Sequence, residues 1–418
     1  MPPAFKLVPV DGPANSVNDL LRALEGFDQR ILSVLQDMKL NSLDHIPQKT
    51  QKLWTDSTTT CPHLFPSDEC WLRTPPTSSE LILSTLDTFA AQSQNQPGNF
   101  NVYRRGEFSD VDPRTAIAQL SNPNSTAAVV IAGLRVENLP DNILTTPEAL
   151  SEFVEPYEHS NHQLLLTPKF AHTDIHIDSG DGLSVPMGRS EKIWLCFPPT
   201  HHNLELLSSV EGRKATLVRI GRSLEGGVIF RTTAEDAVYL PVGCLHTVFT
   251  LVGGFINTLD FVTMESSKTF AAMFSSGLSQ LNGSSVFETE CFDRFIASIG
   301  LAVSHKGVAG AVLAWLDAFE RIRDYAAGDK VWRREATKVW VRFLATDSAK
   351  KLVCPCGARE SFPEHFRAEH LWEKEGRKSC ENVTREPNIG FSMKLRVRRK
   401  RYRDDDEVKG LAKKMKKS

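Results

Sequence analysis

The sequence predicts an α+β protein, a β-rich middle that forms a sandwich or barrel followed by a run of amphipathic helices. Three observations predict it. From about residue 100 the chain breaks into short runs rich in Val, Ile, Leu, Phe and Thr: NVYRRG, AAVVIAG, HQLLLTPKFAHTDIHID, EKIWLCF, ATLVRIG, GGVIFRT, AVYLPVG, HTVFTLV and GFINTLDFV. Branched and aromatic residues suit a pleated, half-buried surface, and many short runs between turn residues are what a two-layer or closed β structure needs. After about residue 264 the texture changes to KTFAAMFSSGLSQL, VFETECFDRFIASIGLAV, GAVLAWLDAFERIRDYAA and VWRREATKVWVRFLATDSAKK, with apolar residues every three or four positions. At the other end Val17, Leu20, Leu21, Leu24, Phe27, Ile31, Leu35 and Met38 repeat with the same period behind Ser16-Val-Asn-Asp19, which has the form of a capping box. One core-packing or dimer-facing helix is therefore predicted over about 16–40.

The expected organisation is a helical segment at 1–54, a linker or loop with a helix at 55–98, a β domain at 99–264, a helical region at 265–350, a small module at 351–381 and a basic tail at 382–418. Residues 55–79 are rich in Ser, Thr and Pro and show no sustained period, so a surface loop is expected there. Cys61, His63 and Cys70 within it could supply three metal ligands, but no fourth is nearby, so an ordinary loop is the expectation.

Composition narrows the function classes. Of 418 residues, 41% are hydrophobic and 24% charged, the ordinary range of a soluble globular protein. The longest apolar runs, such as Ala127 to Leu134, fall far short of the ~20 residues that span a bilayer, and residues 1–13 hold no signal-peptide core. Eight scattered cysteines do not suggest a disulfide framework. A soluble, intracellular protein in a reducing compartment, with no membrane partner, is expected. The net charge of −2 conceals an asymmetry, because residues 394–418 carry 12 Lys/Arg and 4 Asp/Glu, leaving −10 for the rest.

The chemistry concentrates at residues 172–178, His-Thr-Asp-Ile-His-Ile-Asp. On a strand, alternation puts His172, Asp174, His176 and Asp178 on one face. A non-haem iron that must bind dioxygen and a co-substrate uses two histidines and one carboxylate on one side, leaving three positions open. An H-x-D triplet supplies two donors, and His246 in PVGCLHTVF is placed to supply the third from another strand.

The segment TDIHIDSGDGLSVPMGRSEKIWLCFPPT, followed by YLPVGCLHTVFT, resembles the JmjC family and in particular its lysine-demethylase branch. In that branch a histidine and an acid precede a G-x-K-[IV]-[FW] strand ending in PP; the matching piece here is Ser190-Glu-Lys-Ile-Trp194, with Ser190 in place of the glycine, ending at Pro198-Pro199. The P-x-G-x-x-H element matches Pro241 to His246. The family's spacing of threonine, metal histidine and lysine selects His176 over His172, through Thr173 and Lys192. His172 and Asp174 then become supporting or substrate-side polar groups.

The resemblance implies a double-stranded β-helix (jelly-roll, cupin-like), with Fe(II) held by His176, Asp178 and His246. It implies 2-oxoglutarate as co-substrate, its far carboxylate held by Lys192 with Thr173 as the hydroxyl beside it. Thr173 and His176 have opposite parity, so both can face one pocket only if the strand bulges. The activity implied is that of a nuclear 2-oxoglutarate-dependent dioxygenase acting on a protein, with histone lysine demethylation as the specific expectation. A protein side-chain hydroxylase and a chromatin-binding scaffold with reduced turnover are the alternatives. Unlike the demethylase branch, residues 179–187 contain no bulky aromatic.

Towards the C-terminus, Cys354-Pro-Cys356 and His365-Phe-Arg-Ala-Glu-His370 resemble a shortened C2H2 zinc site, with Cys380 as a rival ligand and a reduced CPC turn as the alternative. The basic clusters KLRVRRKRYR and KGLAKKMKKS have the form of a nuclear-import signal or a nucleic-acid contact on a solvated tail.

Overall fold

The structure is a computed structural model that describes residues 16–57, 59–77, 79–83, 101–104, 107–108, 129–134, 143–151, 162–210, 213–277, 285–305 and 307–372. Residues 84–98 of the second expected segment, Cys380 and the basic tail lie outside the described residues.

The N-terminal region holds two helices, α1 (Val17–Arg22) and α2 (Gln29–Asp37), where one was predicted. Ser16 accepts from the Asp19 amide and caps α1. Gly26 then turns the chain at φ +111°, and the Asp28 carboxylate accepts from the Arg30 amide to start α2. The shared apolar period survives the break because Leu20, Leu24, Ile31 and Leu35 all enter one buried cluster.

Strand β1 (Leu40–Ser42), helix α3 (Gln48–Asp56) and strand β2 (His63–Pro66) follow. The expected loop at 55–79 therefore contains a built part of the β structure, with Leu64 and Phe65 buried. Its cysteines do not gather a metal set: Cys70 packs in one apolar layer and Cys61 against another. Next come β3 (Asn101–Arg104), β4 (Glu107–Phe108), β5 (Val129–Leu134), α4 (Glu148–Ser151), β6 (His162–Thr167), β7 (His172–His176), β8 (Asp181–Met187) and β9 (Glu191–Phe197). Helices α5 (His201–Ser209) and α6 (Thr216–Ile220) lead to β10 (Gly227–Thr232), β11 (Asp236–Leu240), β12 (Leu245–Val252) and β13 (Gly254–Phe261). The run ATLVRIG, expected as a strand, is helix α6. Its start is stabilised by the Asp174 carboxylate, which accepts from the amides of Thr216 at 2.6 Å and Leu217 at 2.8 Å.

One sheet has the order β1-β10-β9-β12-β7 and the other β2-β11-β8-β13-β6-β5-β3-β4. The central ladders are antiparallel, and β1 joins the edge of β10 in parallel. Alternation sorts each strand into two layers. On β9, Trp194 and Cys196 point inward to meet Val238 and Leu240 of the facing sheet. Ile193, Leu195 and Phe197 point outward into the helices. Leu183, Val185, Tyr239 and Phe261 form a layer outside the second sheet. The result is an α+β architecture of two facing sheets, compatible with the expected jelly-roll.

The helical region comprises α7 (Ser266–Ser275), α8 (Ser285–Ser304), α9 (Val308–Asp317), α10 (Phe319–Gly328) and α11 (Lys330–Leu344), then the short α12 (Asp347–Lys350) and α13 (Phe362–His365). Together with α1 and α2 it buries the outer face of the first sheet; Phe27 meets Phe249 edge-on at 5.3 Å. Each such fully buried large side chain contributes about 1.5–3 kcal/mol. Among the described residues no helix is long and apolar enough to cross a membrane, and none of the seven described cysteines is in a disulfide.

Candidate metal centre

Antiparallel pairing of β7 with β12 sets His176 directly opposite His246, and their rings lie 4.2 Å apart. Asp178 follows β7 by two residues and reaches between them, with carboxylate oxygens 3.6 Å from each Nε2. Both imidazoles are oriented from behind. His176 Nδ1 meets the Asp174 carbonyl at 2.9 Å and His246 Nδ1 meets the Cys244 carbonyl at 3.0 Å. A ring that donates from Nδ1 to a carbonyl keeps its Nε2 lone pair free, the tautomer a metal ligand requires. Burial, helped by nearby His176, pushes the pKa of His246 down to about 4, so it is neutral at physiological pH. The three donor atoms lie within 4.8 Å of one another.

The pairing is irregular: on β12 one residue, Thr247, separates His246 from Val248, whereas on β7 two, Asp174 and Ile175, separate Thr173 from His176. This bulge brings Thr173 and His176 to the same cavity despite their opposite parity. Asp174 is turned out of that cavity to cap α6, while His172 stacks on Phe249 at the cavity wall. The first H-x-D triplet is thus taken apart by the fold, and the second meets His246.

His246 is delivered by a tight turn. The Cys244 amide donates to the Pro241 carbonyl, and Gly243 has φ +76°, a conformation that favours glycine. A Cβ there would stand 2.6 Å from Thr269 Cγ2 on α7. Asp181, buried on β8, secures the turn by accepting from the Val242 amide, the Tyr239 hydroxyl, the Thr263 amide and the Ser266 hydroxyl. Its carboxyl pKa is raised by burial against the opposing pull of those four donors. Nothing in the local sequence singles out this residue.

The donors border a cavity of about 270 Å³ between the sheets. Lys192 enters it from β9, buried, and donates to the hydroxyls of Thr167 at 2.6 Å and Thr250 at 2.8 Å. The hydroxyl partners of the lysine are therefore these two residues and not Thr173, whose buried Oγ1 lines the same cavity without a partner. Among the described residues no carboxylate pairs with the ammonium, and burial lowers its pKa to about 7. A buried cation without a counter-ion is costly, so the cavity favours an anionic guest. Thr250 shares the face of His246 on β12, a period-two signal visible in sequence; Thr167 comes from the facing sheet and gives no such signal.

The helical region reaches the same cavity. Phe287 and Glu290 of α8 line it. The Ser179 hydroxyl donates to Glu290 at 2.7 Å, while Arg294 donates to Ser179 at 2.6 Å and to Asp260 at 3.1 Å. Burial raises Asp260 to about 6 in spite of Arg294. From the stretch 179–187, which contains no aromatic, Gly182 and Ser184 line the wall. Cys354, Cys356, His365 and His370 form a second group of donors in the C-terminal segment.

Two facing sheets and their helices thus make an α+β protein in which two imidazoles and one carboxylate, a donor set able to hold a metal ion, meet on one side of a cavity. No family model matches the chain. Two curated proteins called JmjC domain-containing histone demethylation protein 1 are similar to it: that of Saccharomyces cerevisiae, 29% identical over 119 residues, and that of Kluyveromyces lactis, 27% identical over 108. These stretches are 28% and 25% of this chain and 24% and 23% of the relatives, so the chain spans about a quarter of the length of the proteins it matches. Together with the motifs at Thr173 to Pro199 and Pro241 to His246, these similarities support the resemblance of the chain to the JmjC family.

Proposed function

We propose that this chain is an Fe(II)- and 2-oxoglutarate-dependent protein oxygenase that demethylates histone lysine in the nucleus. The observation that carries the reading is the convergence, in one cavity, of the His176, Asp178 and His246 donors with the uncompensated ammonium of Lys192. The donor set suits Fe(II), with borderline imidazoles oriented by backbone carbonyls and one hard carboxylate. Bound iron, with dioxygen and 2-oxoglutarate, supplies the oxidising chemistry: the co-substrate becomes succinate and carbon dioxide while the substrate gains a hydroxyl.

The residues of the chain prepare that reaction. Lys192, with Thr167, Thr250 and the partnerless Thr173 hydroxyl around it, binds the far carboxylate of the co-substrate by charge-assisted hydrogen bonds. Glu290, fixed by Ser179, gives the cavity a carboxylate suited to a cationic methylammonium. Substrate choice draws also on the names of the two relatives, and nuclear placement on the basic clusters after residue 394. Hydroxylation of an N-methyl carbon releases formaldehyde, whereas hydroxylation of a side-chain carbon leaves an alcohol. The small, polar wall at Gly182 and Ser184 favours the second outcome as the rival reading.

The test is iron-dependent formation of succinate by the full chain with methylated histone peptides, with His176→Ala as control. Formaldehyde release in step with succinate is the expected result. Succinate with a peptide mass gain of one oxygen atom supports a hydroxylase instead. No succinate from iron-loaded protein, with any peptide, rejects the enzyme and leaves a scaffold.

A further inference from the structure

We propose that Cys354, Cys356, His365 and His370 form a closed, structural zinc site that fastens the C-terminal segment onto the helical region. The four donors converge tightly. Cys356 Sγ is 3.0 Å from His365 Nε2, Cys354 Sγ is 3.4 Å from His370 Nε2, the two sulfurs are 3.2 Å apart and the two Nε2 atoms 3.2 Å apart. A tetrahedron with Zn–N near 2.0–2.1 Å and Zn–S near 2.3 Å has edges of about 3.3 Å between nitrogens and about 3.8 Å between sulfurs. The nitrogen pair already matches, and the sulfurs need to part by about half an ångström. As hydrogen-bonding groups the four satisfy one another poorly, because a thiol is a weak donor. One divalent ion would use all four lone pairs.

Two backbone devices build the cluster. The Gly357 amide donates to the Cys354 carbonyl at 3.0 Å, and Gly357 has φ +84°, so a tight turn directs both thiols of the C-x-C to one side. The histidines are five residues apart, which on an α-helix separates them by about 140° around the axis. Phe366–His370 is instead a π-turn, closed by the Leu371 amide on the Phe366 carbonyl at 3.0 Å. Its wider winding brings both rings to one side, and single π-turns of this kind cluster at functional sites. Behind one ring, the Glu360 carboxylate stands 3.6 Å from His365 Nδ1, the orienting role a metal-bound imidazole uses.

A set of two sulfurs and two nitrogens selects zinc over iron(II), magnesium or calcium, and four protein donors leave no position for substrate. Cys354, His365 and His370 are buried. The cluster is wired into the helices: the Trp315 indole of α9 donates to the His370 carbonyl at 2.9 Å, the Trp372 indole donates to Thr337 of α11 at 2.8 Å, and Phe366 packs on Trp340 at 4.5 Å. The site thus joins the apolar cluster through which the helices support the first sheet.

The experiment is metal analysis of the full chain purified without added metal. About one tightly held zinc per chain is expected. It should persist when His176→Ala and His246→Ala remove the other donor set, and be lost in Cys354→Ser with Cys356→Ser. Replacement by cobalt(II) should give the intense visible bands and near-ultraviolet sulfur charge transfer of a tetrahedral thiolate site. If the cysteine variants do not fold, the wild type decides: chelation should release zinc and open Cys354 and Cys356 to alkylation. Folded wild type without zinc, a Cys354–Cys356 disulfide, or alkylation equally fast with and without chelator overturns the site. None of these readouts depends on oxygenase activity.

Discussion

The two donor clusters of this chain differ in the ways that separate reactive from structural metal sites. His176 and His246 lie on neighbouring strands and Asp178 just past one of them, with His176 and Asp178 about 40% exposed to a cavity. Cys354, Cys356, His365 and His370 are four donors on a turn and at a π-turn, three of them buried and packed beside tryptophans. The strand-built set leaves coordination positions free and has an anion-seeking lysine beside it. The turn-built set leaves none. Three donors suit a site that must bind further ligands, whereas four suit a structural one.

The largest expected effects break this contrast directly. Asp178→Ala should lower iron-dependent succinate formation by more than about 100-fold, since loss of merely an outer partner of a metal ligand costs 10–100-fold, while zinc content stays unchanged. Cys356→Ser should do the converse, removing zinc and lowering the thermal midpoint while iron binding at the strand site persists in the folded fraction. Loss of both metals in both variants would falsify the independence of the two sites.

Lys192→Met sharpens the open side. Removing the only charge expected to hold the co-substrate should weaken 2-oxoglutarate binding by about 10–150-fold, the equivalent of one charge-assisted hydrogen bond. The same change should raise the melting temperature of the apo protein, because it removes a buried, unpaired ammonium. Unchanged co-substrate affinity by calorimetry would displace Lys192 from its role.

A pH series reads the same group. Burial lowers its pKa from 10.5 to about 7. Between those values the unfolded chain binds a proton that the folded chain does not. Stability should therefore rise with pH across that window, with the burial penalty complete below it. Binding of the anion restores the charge, so 2-oxoglutarate affinity should fall above pH 7, by up to tenfold per unit, with proton uptake measurable in buffers of different ionisation enthalpy. The smallest effect tests the choice between the two H-x-D triplets. Asp174→Ala should cost about 1 kcal/mol through loss of the α6 cap and leave iron binding intact. An iron-free Asp174→Ala protein that folds would reverse that choice.

Residues 172–178 show how far reading the chain could go. Motif spacing singled out His176, Asp178, Lys192 and His246, and the structure brings them to one cavity. The parity conflict at Thr173 was visible as a conflict, but its resolution by a bulge depends on pairing with β12. The break between α1 and α2 was legible in hindsight at Gly26 and Asp28, whereas ATLVRIG looked like a strand because its Thr, Val and Ile favour sheets in isolation. A carboxylate 42 residues away made it a helix.

By itself the sequence determined the alternation of short strands and amphipathic helices, the order of the motifs, and the donor types at both clusters, because these depend on local period and side-chain chemistry. Only the tertiary structure decided that Thr167 and Thr250 hold Lys192, that Asp181 secures the His246 turn, and that α8 brings Phe287 and Glu290 into the cavity. Those contacts join residues tens of positions apart on different elements, and sheet pairing and burial set their distances, which no local pattern encodes.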